Sequence, residues 1–442
     1  MDERISRVLD LAAAGGYECE VFCESGERFQ VEVYRGRVES IDRSRDEGVG
    51  IRLVRDGRMG HSFSNESGPA GMDSAFEEAR LNAEASAPLE VDVLARDARV
   101  PEAGPDAGDS AGLEDTAARI QGVVEMENAA FEFDPSIENT EGAGYSEFSG
   151  EVSVASTRGF YRREKRRHCR CSLAAVAKRG EEARSGWYHS QAREPGGLDF
   201  SGTGREAARR AAILLGSSPI PTGRYPVVLD ATAFVDIVYL LEQALSGEMV
   251  VRGTTVFAGR IGEKIAAGMV TLVDDPFLDG GCFNSGFDDE GVPRERYVLI
   301  EEGALRGFLH NTWSSAKTGS RVTANAVRES YRDLPVPGPS NLFMLPGRAT
   351  VLELISEAGE GIYIQNIMGM HTADPVSGDF SVGINGLRIK SGMTGHAVSE
   401  MTISGNILDL LAGIRNVGRE VFFAGPYGAP PALIDGMSVS GI

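Results

Sequence analysis

The sequence predicts an α+β fold: an N-terminal antiparallel sheet with helices, an α/β middle part, and a C-terminal, mostly antiparallel β part with a few helices. Three observations predict it. Ile5, Val8, Leu9, Ala12 and Ala13 line one helical face, and Phe29-Gln30-Val31-Glu32-Val33-Tyr34 then alternates with period two. Beyond Gly247 the chain is mostly short strand-like runs separated by glycine turns.

In chain order, residues 2–15 form a helix stopped by Gly15-Gly16, and Glu18 to Asn65 form a meander turned at Arg35-Gly36 and Asp56-Gly57. Met72, Phe76, Ala79 and Ala83 restore helical spacing and complete a domain over 1–87. The Pro- and Gly-rich stretch 88–112 has no apolar periodicity and reads as a linker. The middle domain, 113–218, has a helix on Leu113, Ala117, Ile120 and Val124 and strands around Glu151–Ala155 and Ser172–Ala177. Its second helix carries Ala208, Ala211, Ala212 and Leu215, and Ser217 to Pro221 closes it. The C-terminal domain, 222–442, starts with a strand from Tyr225 to Leu229. A helix from Ala231 to Ser246 follows, N-capped by Asp230 and buried along Phe234, Ile237, Val238, Leu241 and Leu245. Further helical stretches lie near Val351–Ser356 and Asn406–Ile414.

With 42% apolar and 25% charged residues, the 442-residue chain is neither disordered nor fibrous, and its 55 glycines, about 12%, exceed the usual share of roughly 7%. The balance of 44 basic against 65 acidic residues, −21 overall, repels nucleic acid and anionic lipid. The opening Met1-Asp2-Glu3-Arg4 is not leader-like, and Asp230 and Asp236 interrupt the apolar run Val227–Leu241, so no signal peptide or membrane span is expected. Five cysteines, sparse and odd in number, suit reduced thiols in the cytoplasm.

Each patch of candidate chemistry has an ordinary structural reading beside it. Cys19 with Cys23, and His168-Cys169-Arg170-Cys171, suggest a zinc site, but neither pair has knuckle spacing, and buried structural thiols are expected. Arg158, Arg162, Arg163, Lys165, Arg166, Arg167 and Arg170 make a basic run that would suit nucleic acid; a solvated strand pair or an acidic protein contact is favoured instead. Carboxylates gather at Asp274/Asp275 and Asp288/Asp289/Glu290, and Asp374 and Asp379 lie near His371; such sets suit acid–base work or a hard cation, with turn capping the expected role. Cys282 and His310 form a thiol–imidazole candidate that no flanking signature supports.

A resemblance becomes specific from the Ala231–Ser246 helix onward. Leu240-Leu241-Glu242-Gln243-Ala244-Leu245-Ser246-Gly247 leads into Arg252-Gly253-Thr254-Thr255-Val256-Phe257, Ile261-Gly262-Glu263-Lys264-Ile265-Ala266 and Asp274-Asp275-Pro276. Phe287 to Pro293, Gly369-Met370-His371-Thr372-Ala373-Asp374 and Ser377-Gly378-Asp379-Phe380-Ser381 extend the pattern. Together these resemble the TldD/PmbA family, and the Tyr34-Arg35-Gly36, Asp56-to-Gly60 and Ser156-to-Gly159 turns resemble its first two parts.

The resemblance implies a two-member peptidase system, once named for modulation of DNA gyrase, with a zinc-bearing TldD-type subunit and a PmbA/TldE-type partner. TldD-type chains carry H-E-x-x-x-H on this helix and a cysteine near the C-terminus. Here the matching positions begin at Glu242 and Gln243 and end at Gly247, no histidine lies between His189 and His310, and no cysteine follows Cys282. By resemblance, then, the chain is PmbA/TldE-like and inactive alone, and no catalytic, cofactor-binding or metal residue of the family carries over to it. Zinc is expected in a TldD-type partner, and peptides or unfolded proteins are the expected substrates. A TldD-type subunit or a second copy is the expected partner. The rival readings are a self-sufficient hydrolase built on Asp274/Asp275 and Asp288/Asp289/Glu290, with or without His371, and a non-catalytic peptide-binding homodimer. A gyrase or DNA contact through the basic run stands behind both.

Overall fold

A computed structural model of the chain describes residues 2–96 and 115–441. Helix α1 (Glu3–Ala14) is N-capped by Asp2, whose carboxylate accepts from the Arg4 N–H, and it buries Ile5, Val8 and Ala12. Strands β1 (Glu18–Tyr34) and β2 (Arg37–Arg55) form one hairpin, and β3 (Arg58–Ser64) adds the next. Both turns have paired positive φ, Arg35 at 50° with Gly36 at 70° and Asp56 at 51° with Gly57 at 71°, the two-residue geometry that matches strand twist. Helix α2 (Pro69–Ala85) buries Met72, Phe76, Ala79 and Ala83 as the spacing predicts.

The expected linker begins later than residue 88 within the described part: Val93, Leu94 and Ala95 are buried, and Arg52 and Arg158 donate to the Val93 and Leu94 carbonyls. Residues 97–112 of that linker, and Leu113 of the following helix, lie outside the described residues.

Helix α3 (Thr116–Phe133), strands β4 (Ile137–Ser156), β5 (Phe160–Arg179) and β6 (Glu182–Ala192), and helix α4 (Phe200–Ala212) make the middle part. Its strands are antiparallel and join the first sheet, in the order β3-β2-β1-β4-β5-β6. The first two parts therefore share one sheet, stitched from Glu20↔Ser156 to Val33↔Ala143. Alternation gives this sheet two different faces. Cys19 and Val21 meet α1 and α2, while Phe29, Val31 and Val33 meet α3 and α4 on the same side. Phe22, with Val152, Val154 and Phe160, packs on Phe287, Val292, Ala324 and Tyr331 of the third part.

In the third part, β7 (Gly223–Leu229) lies parallel to strand Gly361–Met368 and antiparallel to Ala432–Ser440. Strands Asp379–Lys390 and Met393–Asn406 continue the sheet, and pairing of Met393–Asn406 with Ala432–Ser440 closes it into a ring. A second sheet contains β8 (Leu272–Asp274), β9 (Tyr297–Glu301) and strands Leu342–Met344, Tyr427–Ala429 and Phe422–Ala424. Helix α5 (Ala231–Ala244) is apolar on most sides and shares one core with both sheets. It stops two residues before the expected Ser246, where Ser246 starts the short α6 (Gly247–Arg252). The remaining α-helices among the described residues are α7 (Thr312–Thr318), α8 (Val351–Ala358) and α9 (Ile407–Ala412).

Candidate functional site

The N-terminus of α5 is fixed by Asp230, whose Oδ1 accepts from the Thr232 N–H at 3.1 Å and from Arg210 Nη2 at 2.9 Å. At the other end, Glu242 sits on the last turn, 9% exposed, and its main-chain carbonyl accepts from the Leu245 N–H at 3.1 Å. Burial pushes its carboxyl up to about 7, and the nearby Asp274 adds to the rise. The chain then breaks: the Gly247 N–H donates to the Leu309 carbonyl at 2.7 Å, and the Leu309 N–H donates to the Leu245 carbonyl at 3.0 Å. That register brings His310 against Gly247. The His310 ring is 2% exposed, its Nδ1 is 3.0 Å from Ser314 Oγ, and burial lowers it to about 4.

The Asp288–Glu290 turn lies against the first sheet, while Asp274 and Asp275 find their partners within the third part; backbone N–H groups and side-chain donors both bond these carboxylates. Asp274 Oδ1 accepts from the Ser340 N–H at 2.8 Å and its hydroxyl at 2.9 Å, while Oδ2 accepts from Asn325 Nδ2 at 2.8 Å. Asp275 caps the Phe277 N–H at 3.0 Å and faces Arg296 at 3.3 Å. Asp288 accepts from the N–H groups of Glu290, Val292 and Ala326 at 3.0, 2.9 and 3.1 Å. Burial, reinforced by Glu290, raises the Asp288 carboxyl. Asp289 accepts from the Arg328 N–H at 2.7 Å and from Arg166 at 2.9 Å; Glu290 accepts from the Thr312 N–H at 2.7 Å and Arg52 at 3.2 Å. A general base needs a free lone pair facing the substrate proton, and these carboxylates spend theirs holding turns and arginines.

The basic run is internally neutralised where its partners are shown. Arg158 pairs with Glu18 and Asp92, Arg163 with Glu151, Arg166 with Glu164 and Asp289, and Arg167 with Glu147 and Glu194. Arg170 lies over the Trp187 ring at 5.2 Å. Strand β1 supplies Glu20, buried and bonded to Arg52 at 2.6 and 2.9 Å and to Arg328 at 2.5 Å. The period-two pattern carried one signal for this network, a glutamate on the opposite face from Cys19 and Val21; Arg52 stands directly across the β1–β2 hairpin from it, whereas Arg328 comes from a distant segment.

The remaining candidates do not converge. All five cysteines are free thiols. Cys169 and Cys171 share one buried face of β5, where Cys169 Sγ lies 3.3 Å from the Ala192 carbonyl oxygen, and burial pushes the Cys23 and Cys169 thiols up to about 12. His168 lies between the Phe148 and Phe283 rings at 5.4 and 5.1 Å. Cys282 neighbours Gln191 and Arg193, whereas His310 belongs to the α5–α7 cluster. His371 is exposed, and Asp374 and Asp379 bind the Val376 N–H at 2.8 Å and Asn406 Nδ2 at 2.8 Å. Among the described residues no group of three or more His, Cys, Asp or Glu side chains is placed to share a metal ion. A cavity of about 570 Å³ opens between the first sheet and residues 329–333, lined by Glu24, Arg28, Asp46, Phe148, Tyr331 and Arg332 among others.

Comparison with known proteins gives a continuous likeness. Residues 19–83 match the PmbA/TldA metallopeptidase domain 1, residues 110–215 its central domain and residues 222–441 its C-terminal domain. A protein of Methanothermobacter thermautotrophicus named metalloprotease is 28% identical over 426 residues, covering 91% of this chain and 88% of that protein. Metalloprotease PmbA of Escherichia coli O157:H7 is 24% identical over 456 residues, covering 100% and 96%. In fold, the chain is similar to TldE from Thermococcus kodakarensis, with a TM-score of 0.91 at 22% identity over 99% of this chain and 100% of that one.

Proposed function

The chain belongs to the PmbA/TldD metallopeptidase family, and on that footing we propose that it is a PmbA/TldE-type subunit, acting with a TldD-type partner on peptides or unfolded proteins and holding no zinc itself. The observation that carries the reading is the end of α5. The family's name implies a metal, which the resemblance takes to be zinc, and zinc needs imidazole, thiolate or carboxylate donors that converge. Gly247 offers no side chain, Gln243 offers a neutral amide, and the Glu242 carboxylate belongs to no larger set of ligands among the described residues. Zinc does not fit these residues.

What the chain's own residues supply is surface and rigidity. The ionic network of Glu20, Arg52, Arg328, Asp289 and Glu290 fixes the first sheet on the third part, which holds the walls of the 329–333 cavity at a set distance. A second copy of the chain is the alternative partner. The free thiols agree with a reducing cytoplasm, and no helix among the described residues is long and apolar enough to cross a membrane.

The self-sufficient hydrolase is less favoured: burial raises Asp274 and Asp288, but Asp288 is held by three backbone N–H groups and Asp274 by the Ser340 N–H, the Ser340 hydroxyl and the Asn325 amide. Co-purification from the native cell, followed by metal analysis of the separated subunits, tests the proposal: zinc should follow a TldD-type partner and be below half an equivalent in this chain. One tightly held zinc per isolated chain would defeat it.

A further inference from the structure

Gly247 has no room for a side chain. A Cβ built on it falls inside the van der Waals envelope of His310 Nδ1, and lies 2.7 Å from both His310 Cε1 and the Leu309 carbonyl oxygen, closer than Cβ atoms approach such neighbours. His310 cannot swing away easily. Its backbone N–H donates to Thr323 Oγ1 at 2.7 Å, its Nδ1 meets Ser314 Oγ at 3.0 Å, and residues 309 and 245–247 are bound by main-chain hydrogen bonds on both sides. Buried rings in close-packed surroundings pass such strain on to their neighbours.

We propose that the His310 imidazole, backed by the Leu309 carbonyl, bars any side chain, and hence any metal ligand, from position 247: the ring is the nearest obstacle that such a side chain would meet, with the main-chain oxygen beside it. The inference rests on the metal-free reading above and deepens it. Loss of a ligand at 247 is then a property of two positions, Gly247 and His310, and putting histidines back on the α5–α6 turn does not by itself rebuild a ligand pair there. His310 acts here as a positioning residue through packing, with no contact to substrate implied.

The test compares four full-length chains by melting temperature: wild type, Gly247→Ala, His310→Ala and the double variant. Gly247→Ala should lower the melting temperature by about 3 to 10 °C, as overpacking of a core does. Gly247→Ala/His310→Ala should melt above Gly247→Ala, although His310→Ala alone melts below wild type, because the second change removes the nearest clash and leaves only the main-chain contact with Leu309. A second arm titrates Co(II) into Glu242→His/Gly247→His with His310 present and with His310→Ala added, and the chain lacking the ring should bind at least tenfold more tightly. A double variant melting at or below Gly247→Ala, or Co(II) binding that is as tight with His310 as without it, overturns the proposal. One equivalent of zinc in the wild-type chain would instead defeat the metal-free reading, so the two failures are distinguishable.

Discussion

Arg52 and Glu290 meet across the junction between the first sheet and the third part, Nη2 to Oε1 at 3.2 Å, while the same guanidinium grips Glu20 at 2.6 Å. All three side chains are almost fully buried, at 4%, 0% and 1% exposure. Charges so placed stay tolerable only together, since each alone would bear its full desolvation cost.

Removing the shared cation should therefore cost far more than neutralising one carboxylate. Arg52→Met leaves the buried Glu290 without a cation and Glu20 with Arg328 alone, and should destabilise the chain by about 3 to 5 kcal/mol, against roughly 1 to 3 for Glu290→Gln, whose single amide oxygen still accepts one of its two hydrogen bonds. Chemical denaturation of both variants beside wild type measures the difference; equal losses would show that Arg52 is not the hub.

Glu242 should impose an alkaline penalty. Its folded carboxyl, raised to about 7 from an unfolded value of 4.5, binds the proton more tightly than the unfolded chain does. The associated stability is present below the unfolded value and is lost as pH rises from 4.5 through 7. Glu242→Gln should accordingly be more stable than wild type at pH 8, by roughly 1 to 3 kcal/mol, and nearly equal to it near pH 4. A constant difference across that range contradicts the assignment.

Histidines set the opposite slope. Burial lowers His61, His168, His189 and His310 to about 4 from the usual 6.5, so between these values the unfolded chain takes up more protons and stability falls as pH drops. His189 is the clearest case: Nε2 lies 2.8 Å from the Phe423 carbonyl oxygen and Nδ1 has no partner in its buried site. His189→Gln should flatten the slope of melting temperature between pH 6.5 and 4 while lowering stability at pH 7, and an unchanged slope would remove His189 from the account.

Local patterns were legible in the sequence and distant ones were not. The α5 stripe, the Asp230 cap and the hairpins at Arg35-Gly36 and Asp56-Gly57 rest on neighbours a few residues apart, which periodicity and turn chemistry report directly. That β1 pairs with β4, more than 100 residues on, has no such signature, so the chain read as two domains where one sheet runs through both. Strand β6 was missed because Glu182 to Ala192 is mostly polar and only Trp187's neighbours Gly186 and His189 within it are buried. The basic run was legible as charge, yet the carboxylates that neutralise it come from Glu18, Asp92, Glu147, Glu151, Glu164, Glu194 and Asp289. Gly247 read only as the residue after the Ala231–Ser246 helix; that His310 approaches it needed three dimensions.

The central claim is that this chain completes a peptidase without performing the chemistry, and cleavage of an unfolded peptide by the purified chain, alone and mixed with a TldD-type subunit, tests it most directly. The account predicts no turnover above buffer for the lone chain, chelator-sensitive turnover for the mixture, and for Asp289→Asn a loss of stability or assembly of about 0.5 to 2 kcal/mol, as for a lost cap. Sustained, chelator-insensitive cleavage by the lone chain that disappears in Asp289→Asn would contradict it.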